Sequence, residues 1–133
     1  KALDLCVAER EAEALRLGAL RDRLQAGLEA ALPGRVRPNG DPVRRLPGNL
    51  SVSFPGLDGD RLVADLRGIA VSSGSACSSA TPAPSHVLLA LGLPPALAKA
   101  SLRFGLGRGT TAEEVDRAIA SVRAAVDLQA SAG

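Results

Sequence analysis

Apolar residues recur along the chain with two periods, and the switches between them mark out its elements. From Lys1 to about Leu32, Leu3, Val7, Ala14, Leu17, Leu24, Leu28 and Ala31 fall near one face of a long leading helix. Glu9, Arg10, Glu11, Glu13, Arg16, Arg21, Asp22 and Arg23 cover the rest as a solvated face, and Pro33-Gly34 stops the helix. The period then shortens to two. Leu50, Val52 and Phe54 alternate with Ser51 and Ser53, which predicts a half-buried strand over Asn49–Phe54. Pro55-Gly56 turns the chain, and Asp58 is placed to cap a short helix carrying Leu62, Val63 and Leu66, closed by Gly68. A second strand is predicted at Ile69–Val71, a helix at Pro84–Leu91 ending at Gly92, and another helical turn or two at Pro94–Lys99. Ser101–Phe104 predicts a third strand, broken by the glycines of GLGRG. Thr111 and Glu114 then form a capping box ahead of a last helix with an apolar stripe of Val115, Ile119, Val122 and Val126. This order predicts an α+β two-layer sandwich, with a small mixed sheet and helices on one face.

Composition narrows the picture. A chain of 133 residues suits one domain with one core. Phe54 and Phe104 are its only aromatic residues, so the core must be leucine, valine and alanine. Sixteen basic against 14 acidic residues leave a net charge of +2, too balanced to argue for a nucleic-acid or membrane partner. Arg35–Arg45 is too rich in proline and glycine for more than a brief edge strand at Val36, and its arginines read as solvated loop charge. Cys6 and Cys77 are far apart and the chain has one histidine, which offers no metal-ligand spacing and no disulfide framework. A reducing, cytoplasmic compartment is the default for such cysteine usage. No apolar run approaches the roughly 20 residues of a membrane span, and no leader pattern is present. The chain opens on lysine, already in a helical pattern and uncapped, and reads as a piece of something longer.

Candidate chemistry centres on Cys77. It stands in Ser72–Ala83, a run of serine, alanine and glycine with no side chain able to build a core, expected to stay at the surface and mobile. Free cysteine is usually buried, so a thiol on such an arm is best explained by its reactivity. Cys6, beside the apolar face of the leading helix, reads as a buried structural thiol. Arg103 alternates with Leu102 and Phe104 at a strand end. Two readings stay open for it: an ordinary outward residue, or a pre-oriented fork for a carboxylate. His86 is conceivable as a base for Cys77, and an orienting or packing role is preferred. Lys99 reads as solvated. Gly105, Gly107 and Gly109 fit the dinucleotide fingerprint poorly and read as turn glycines.

Three blocks carry a resemblance: NLSVSFPGLDGDRLVADL (Asn49–Leu66), SSGSACSSATPAPSHVLLALGL (Ser72–Leu93) and SLRFGLGRGTTAEEVDRAI (Ser101–Ile119). In this order they resemble the cysteine desulfurases, class V aminotransferase relatives among the fold type I enzymes that use pyridoxal phosphate (PLP). The likeness covers roughly residues 35–128, the domain body, with 1–32 as the leading helix and 72–83 as the loop of the catalytic cysteine. It implies that Cys77 takes sulfur from L-cysteine as a persulfide, leaving L-alanine, and that Arg103 clamps the substrate's α-carboxylate. It also implies a homodimer, and delivery to a sulfur acceptor or an iron–sulfur scaffold for cluster assembly or tRNA thiolation. Cys77 would then be at most a transient iron–sulfur ligand. The family's PLP lysine, ring-stacking histidine and pyridine-nitrogen aspartate have no counterpart here. The resemblance therefore implies the C-terminal small domain alone, without the large domain, binding no PLP and inactive by itself. A selenocysteine lyase or other class V relative, or a non-enzymatic persulfide relay that docks a scaffold, are the alternatives.

Overall fold

A computed structural model of the chain describes residues 2–66, 68–72 and 83–132, and of Cys6 the backbone only. Helix α1 (Ala2–Ala31) leads into a short edge strand β1 (Arg37–Pro38), then β2 (Asn49–Ser53) and α2 (Gly59–Asp65). Helices α3 (His86–Ala90) and α4 (Pro95–Lys99), strand β3 (Ser101–Gly105) and helix α5 (Ala112–Ser131) complete it. The strands lie in the order β1-β2-β3. Leu50, Val52, Leu102 and Phe104 point to one face, where Leu24, Leu28 and Leu32 of the first helical segment and Val115, Val122 and Val126 of α5 cover them. Phe54, Leu62 and Leu66 close the same core from α2 and its approach. Each fully buried leucine contributes about 1.5–3 kcal/mol of burial.

The two-layer α+β arrangement with this core is as the sequence predicts. The sheet, however, is antiparallel throughout and not mixed. Ile69–Val71 forms no strand of its own; its continuation makes a single antiparallel bridge, Ser72 to Arg103. A three-residue segment after Gly68 (φ 76°) is too short to run the length of β3. The expected edge strand at Val36 is shifted one residue on, and Pro38 is tolerated there because its missing N–H faces no ladder partner.

The apolar stripe of α1 does not face the core along its whole length. Leu3 and Val7 are 76% and 62% exposed, whereas Leu24 and Leu28 are 2% and 0% exposed. Thirty residues of helix extend about 45 Å, and the five residues of β2 about 17 Å, so the sheet underlies only the later turns.

Several ends are fixed as expected. Asp58 Oδ1 accepts the Arg61 N–H at the start of α2. Thr111 and Glu114 form the capping box of α5, with both side-chain bonds present. Helix α3 ends in a Schellman motif: the Leu93 N–H reaches the Leu88 carbonyl and the Gly92 N–H the Leu89 carbonyl. Gly92 supplies the left-handed turn this requires, at φ 91°.

Candidate functional site

The alternation that buries Leu50, Val52, Leu102 and Phe104 sends Ser51, Ser53, Ser101 and Arg103 to the opposite face of the sheet. Register aligns them in rows across the strands. Ser51 stands opposite Arg103, and the Asn39 N–H donates to the Ser51 carbonyl at 2.8 Å on the other side. Beyond Arg103 stands Ser72, joined to it by two backbone bonds, Arg103 N–H to Ser72 O (2.7 Å) and Ser72 N–H to Arg103 O (3.2 Å). Asn39, Ser51, Arg103 and Ser72 thus form one level of the outer face. Because the Arg103 amide group faces Ser72, Ser51 and Arg103 are a non-hydrogen-bonded pair, the type whose side chains approach more closely.

A cavity of about 450 Å³ opens over this row. Its floor includes Asn39, Ser51 and Arg103; Ser85, Leu88 and Leu91 wall it on one side and the 40–46 loop on the other. Ser72 precedes the stretch bearing Cys77 in sequence, and Ser85, buried in the cavity wall, follows it. Among the described residues the Arg103 guanidinium, exposed to solvent, has no hydrogen bond or ion pair. The loop is ordered by Asp41, whose Oδ1 accepts the Val43 and Arg44 N–H groups at 2.8 Å each. Those two bonds, the Arg44 one first, hold its carboxyl below the usual carboxylate range. Arg44 and Arg103 against Asp41 leave the cavity positive, and suited to an anion.

The remaining candidates are placed as follows. Cys77 lies outside the described residues, as does the Cys6 side chain. His86 is exposed at the first position of α3 and does not line the cavity. Lys99 is exposed in the last turn of α4. Gly105, Gly107 and Gly109 have ordinary backbone angles and open space where a Cβ would sit, so neither turning nor a close neighbour demands glycine there. Two arginines expected in solvent are structural instead. Arg16 donates to the carbonyls of Gly107, Arg108 and Thr110, and is held by Glu13. Arg45 turns inward to Gln25 Oε1 at 3.1 Å. A larger cavity of about 550 Å³ lies on the helical side by Leu24, Ile69 and Phe104, and has no cysteine, histidine or lysine in its lining. Among the described residues no cluster of histidine, cysteine, aspartate or glutamate could hold a metal ion, and no helix is long and apolar enough to cross a membrane. Asn39 and Ser51 were not singled out by the sequence: serine alternating with leucine and valine reads as a solvent face, and only register across two strands brings them to Arg103.

Comparison with known proteins adds the following. The family model for class-V aminotransferases matches residues 1–118. The cysteine desulfurase IscS of Anaeromyxobacter sp. (strain K) is 52% identical over 119 residues, which is 90% of this chain and 29% of that protein. The cysteine desulfurase IscS of Tolumonas auensis is 48% identical over 123 residues, 92% of this chain and 30% of its own length. A solved NifS-like protein superposes with a TM-score of 0.79 at 29% identity, covering 96% of this chain and 32% of that one. The chain therefore spans about a third or less of the length of these relatives.

Proposed function

This chain belongs to the class-V aminotransferase family, and from that premise we propose that it is the small domain of a cysteine desulfurase, with Cys77 as the sulfur-accepting nucleophile and Arg103 as the carboxylate clamp. The overall reaction takes the sulfur of L-cysteine onto Cys77 as a persulfide and leaves L-alanine. The observation that carries the reading is Arg103, whose guanidinium has no partner among the described residues and whose backbone is bonded to Ser72, where the Cys77 stretch departs. Cys77 comes five positions after Ser72, so chain length alone keeps the two Cα atoms within about 18 Å. A substrate held by its carboxylate at Arg103 is thus within reach of the thiol. The guanidinium fork supplies orientation, by two parallel bonds to one carboxylate.

The residues of this chain do not fit PLP itself. No lysine lines the Arg103 cavity, and Lys99, the one described lysine, is exposed on α4. In this reading the cofactor belongs to the large domain of the complete enzyme, a cytoplasmic homodimer that passes persulfide sulfur to an acceptor or iron–sulfur scaffold protein.

The test uses the full-length enzyme. Cys77→Ser should abolish persulfide formation, read as the loss of one sulfur in the intact mass after incubation with L-cysteine, while the bound chromophore stays. Arg103→Ala should raise KM for cysteine by about tenfold or more. Undiminished persulfide in the first variant, or an unchanged KM in the second, overturns the corresponding role. Turnover of selenocysteine in preference to cysteine would redirect the assignment within the family.

A further inference from the structure

Four large apolar side chains stand exposed around the mouth of the Arg103 cavity. Val43 and Leu46, on the 40–46 loop, are 84% and 73% exposed, and Val87 of α3 and its C-cap Leu91 are 59% and 55% exposed. Leu46, Val87 and Leu91 line the cavity itself. A leucine exposed singly needs no explanation, but apolar residues gathered about one opening mark a surface built to be covered.

The rim is also held in place. Asp41 Oδ1 accepts the Val43 and Arg44 N–H groups, the Asn49 N–H donates to the Leu46 carbonyl at 3.2 Å, and Arg45 reaches Gln25 Oε1. On the other wall the Schellman motif at Gly92 fixes the end of α3. Ordering this backbone costs entropy, and the four side chains recover none of it by burial within the chain. What covers them follows from the cavity. A carboxylate gripped by Arg103 has to meet reacting groups that the cavity does not supply, since no lysine, histidine or cysteine lines it. The chain spans about a third or less of its relatives' length, so most of the complete protein remains to bring such groups to the mouth.

We propose that Leu46, Val87 and Leu91, with Val43 beside them, form the seam on which the large domain of the complete enzyme seats over the Arg103 cavity. The proposal rests on reading Arg103 as the clamp of a site completed elsewhere, and adds where the other part sits. Covering the rim expels water from the mouth, and the guanidinium then holds a carboxylate more strongly in the lower dielectric.

The experiment labels thiols in the full-length enzyme with N-ethylmaleimide. Leu46→Cys, Val87→Cys and Leu91→Cys are each compared with the same variant unfolded in urea, and peptide masses separate the new thiol from Cys6 and Cys77. Side chains as exposed as these are in this chain should label within a few fold of the unfolded rate. The seam predicts labelling about a hundredfold slower or more. Leu46→Asp and Leu91→Asp should each raise KM for cysteine about tenfold, with the native mass of the enzyme unchanged. Labelling near the unfolded rate, or an unchanged KM in both aspartate variants, overturns the proposal. A native mass halved by either aspartate variant also overturns it, because the face then lies between two copies. Protected rim thiols with an unchanged KM in Arg103→Ala leave the seam and remove the clamp. Unprotected rim thiols with a raised KM in Arg103→Ala do the reverse.

Discussion

Arg103 and Ser53 occupy the same face of the sheet on adjacent strands, one bare to solvent and one sealed. The guanidinium has no partner among the described residues, so folding gains nothing from its charge. Arg103→Ala should therefore change unfolding free energy by no more than about 0.5 kcal/mol, which a urea titration would check. Ser53→Ala is the opposite case. It strips Asn39 Oδ1 of its donor and Ser101 of its 2.6 Å partner in a site with no solvent access. A loss of about 1–3 kcal/mol is expected, and a loss as small as that of Arg103→Ala would show the Ser53 hydroxyl to be structurally idle. Backbone packing sets a third single-residue limit. A Cβ on Gly59 would stand 1.8 Å from the Lys99 carbonyl oxygen, where α2 starts against the end of α4. Gly59→Ala should cost about 1–3 kcal/mol or more, because the obstacle is main chain and cannot rotate away.

At the scale of elements, α1 is two helices in function. Its later turns supply Leu24 and Leu28 to the core, and its early turns leave Leu3, Leu5 and Val7 at 76%, 59% and 62% exposure. Leu28→Ala should cost about 2–5 kcal/mol, and Leu5→Ala less than about 0.5 kcal/mol; equal losses by calorimetry would contradict the division. Sequence periodicity shows a helix's apolar face but not the length of what lies beneath it, so Leu3 and Val7 read like Leu24. The end of the chain was more legible. Thr111, Glu114 and the stripe from Val115 to Val126 all act within a few residues of one another, and α5 forms where they indicate. The same holds for Asp58 at α2 and Gly92 after α3. Partnerships across the chain were not readable: Arg16 with the carbonyls of 107, 108 and 110, Arg45 with Gln25, and the row Asn39–Ser51–Arg103 each depend on register and packing. Arg103 was legible as a candidate because a charge at an alternating strand position is conspicuous, while its serine neighbour was not.

For the molecule as a whole, the carboxylates tie separate parts of the fold together and make its stability depend on acid. Glu13 is bonded to Arg16, which in turn holds the loop between β3 and α5. Asp116 of α5 forms two bonds to Arg23 of α1, at 2.7 and 2.9 Å, across the pair of helices that covers the sheet. Asp41 orders the loop over the Arg103 cavity. All three are held below the usual carboxylate range: Glu13 and Asp116 first by their arginine bonds, Asp41 first by the Arg44 and then the Val43 backbone N–H. A carboxyl whose folded value is lowered binds fewer protons folded than unfolded. Its contribution is complete above the unfolded value, and disappears as pH falls through the folded one. The melting temperature should accordingly fall from about pH 5 downward. Added salt should weaken the exposed Glu13 and Asp116 parts and spare most of the Asp41 part, whose donors are uncharged amides. Asp41→Asn and Asp116→Asn should each flatten the acid limb, and Asp41→Asn should do so equally at low and high salt. A limb as steep in both variants as in the parent protein would place the acid sensitivity in other groups and leave these three carboxylates without a share in holding the helices and the cavity loop in place.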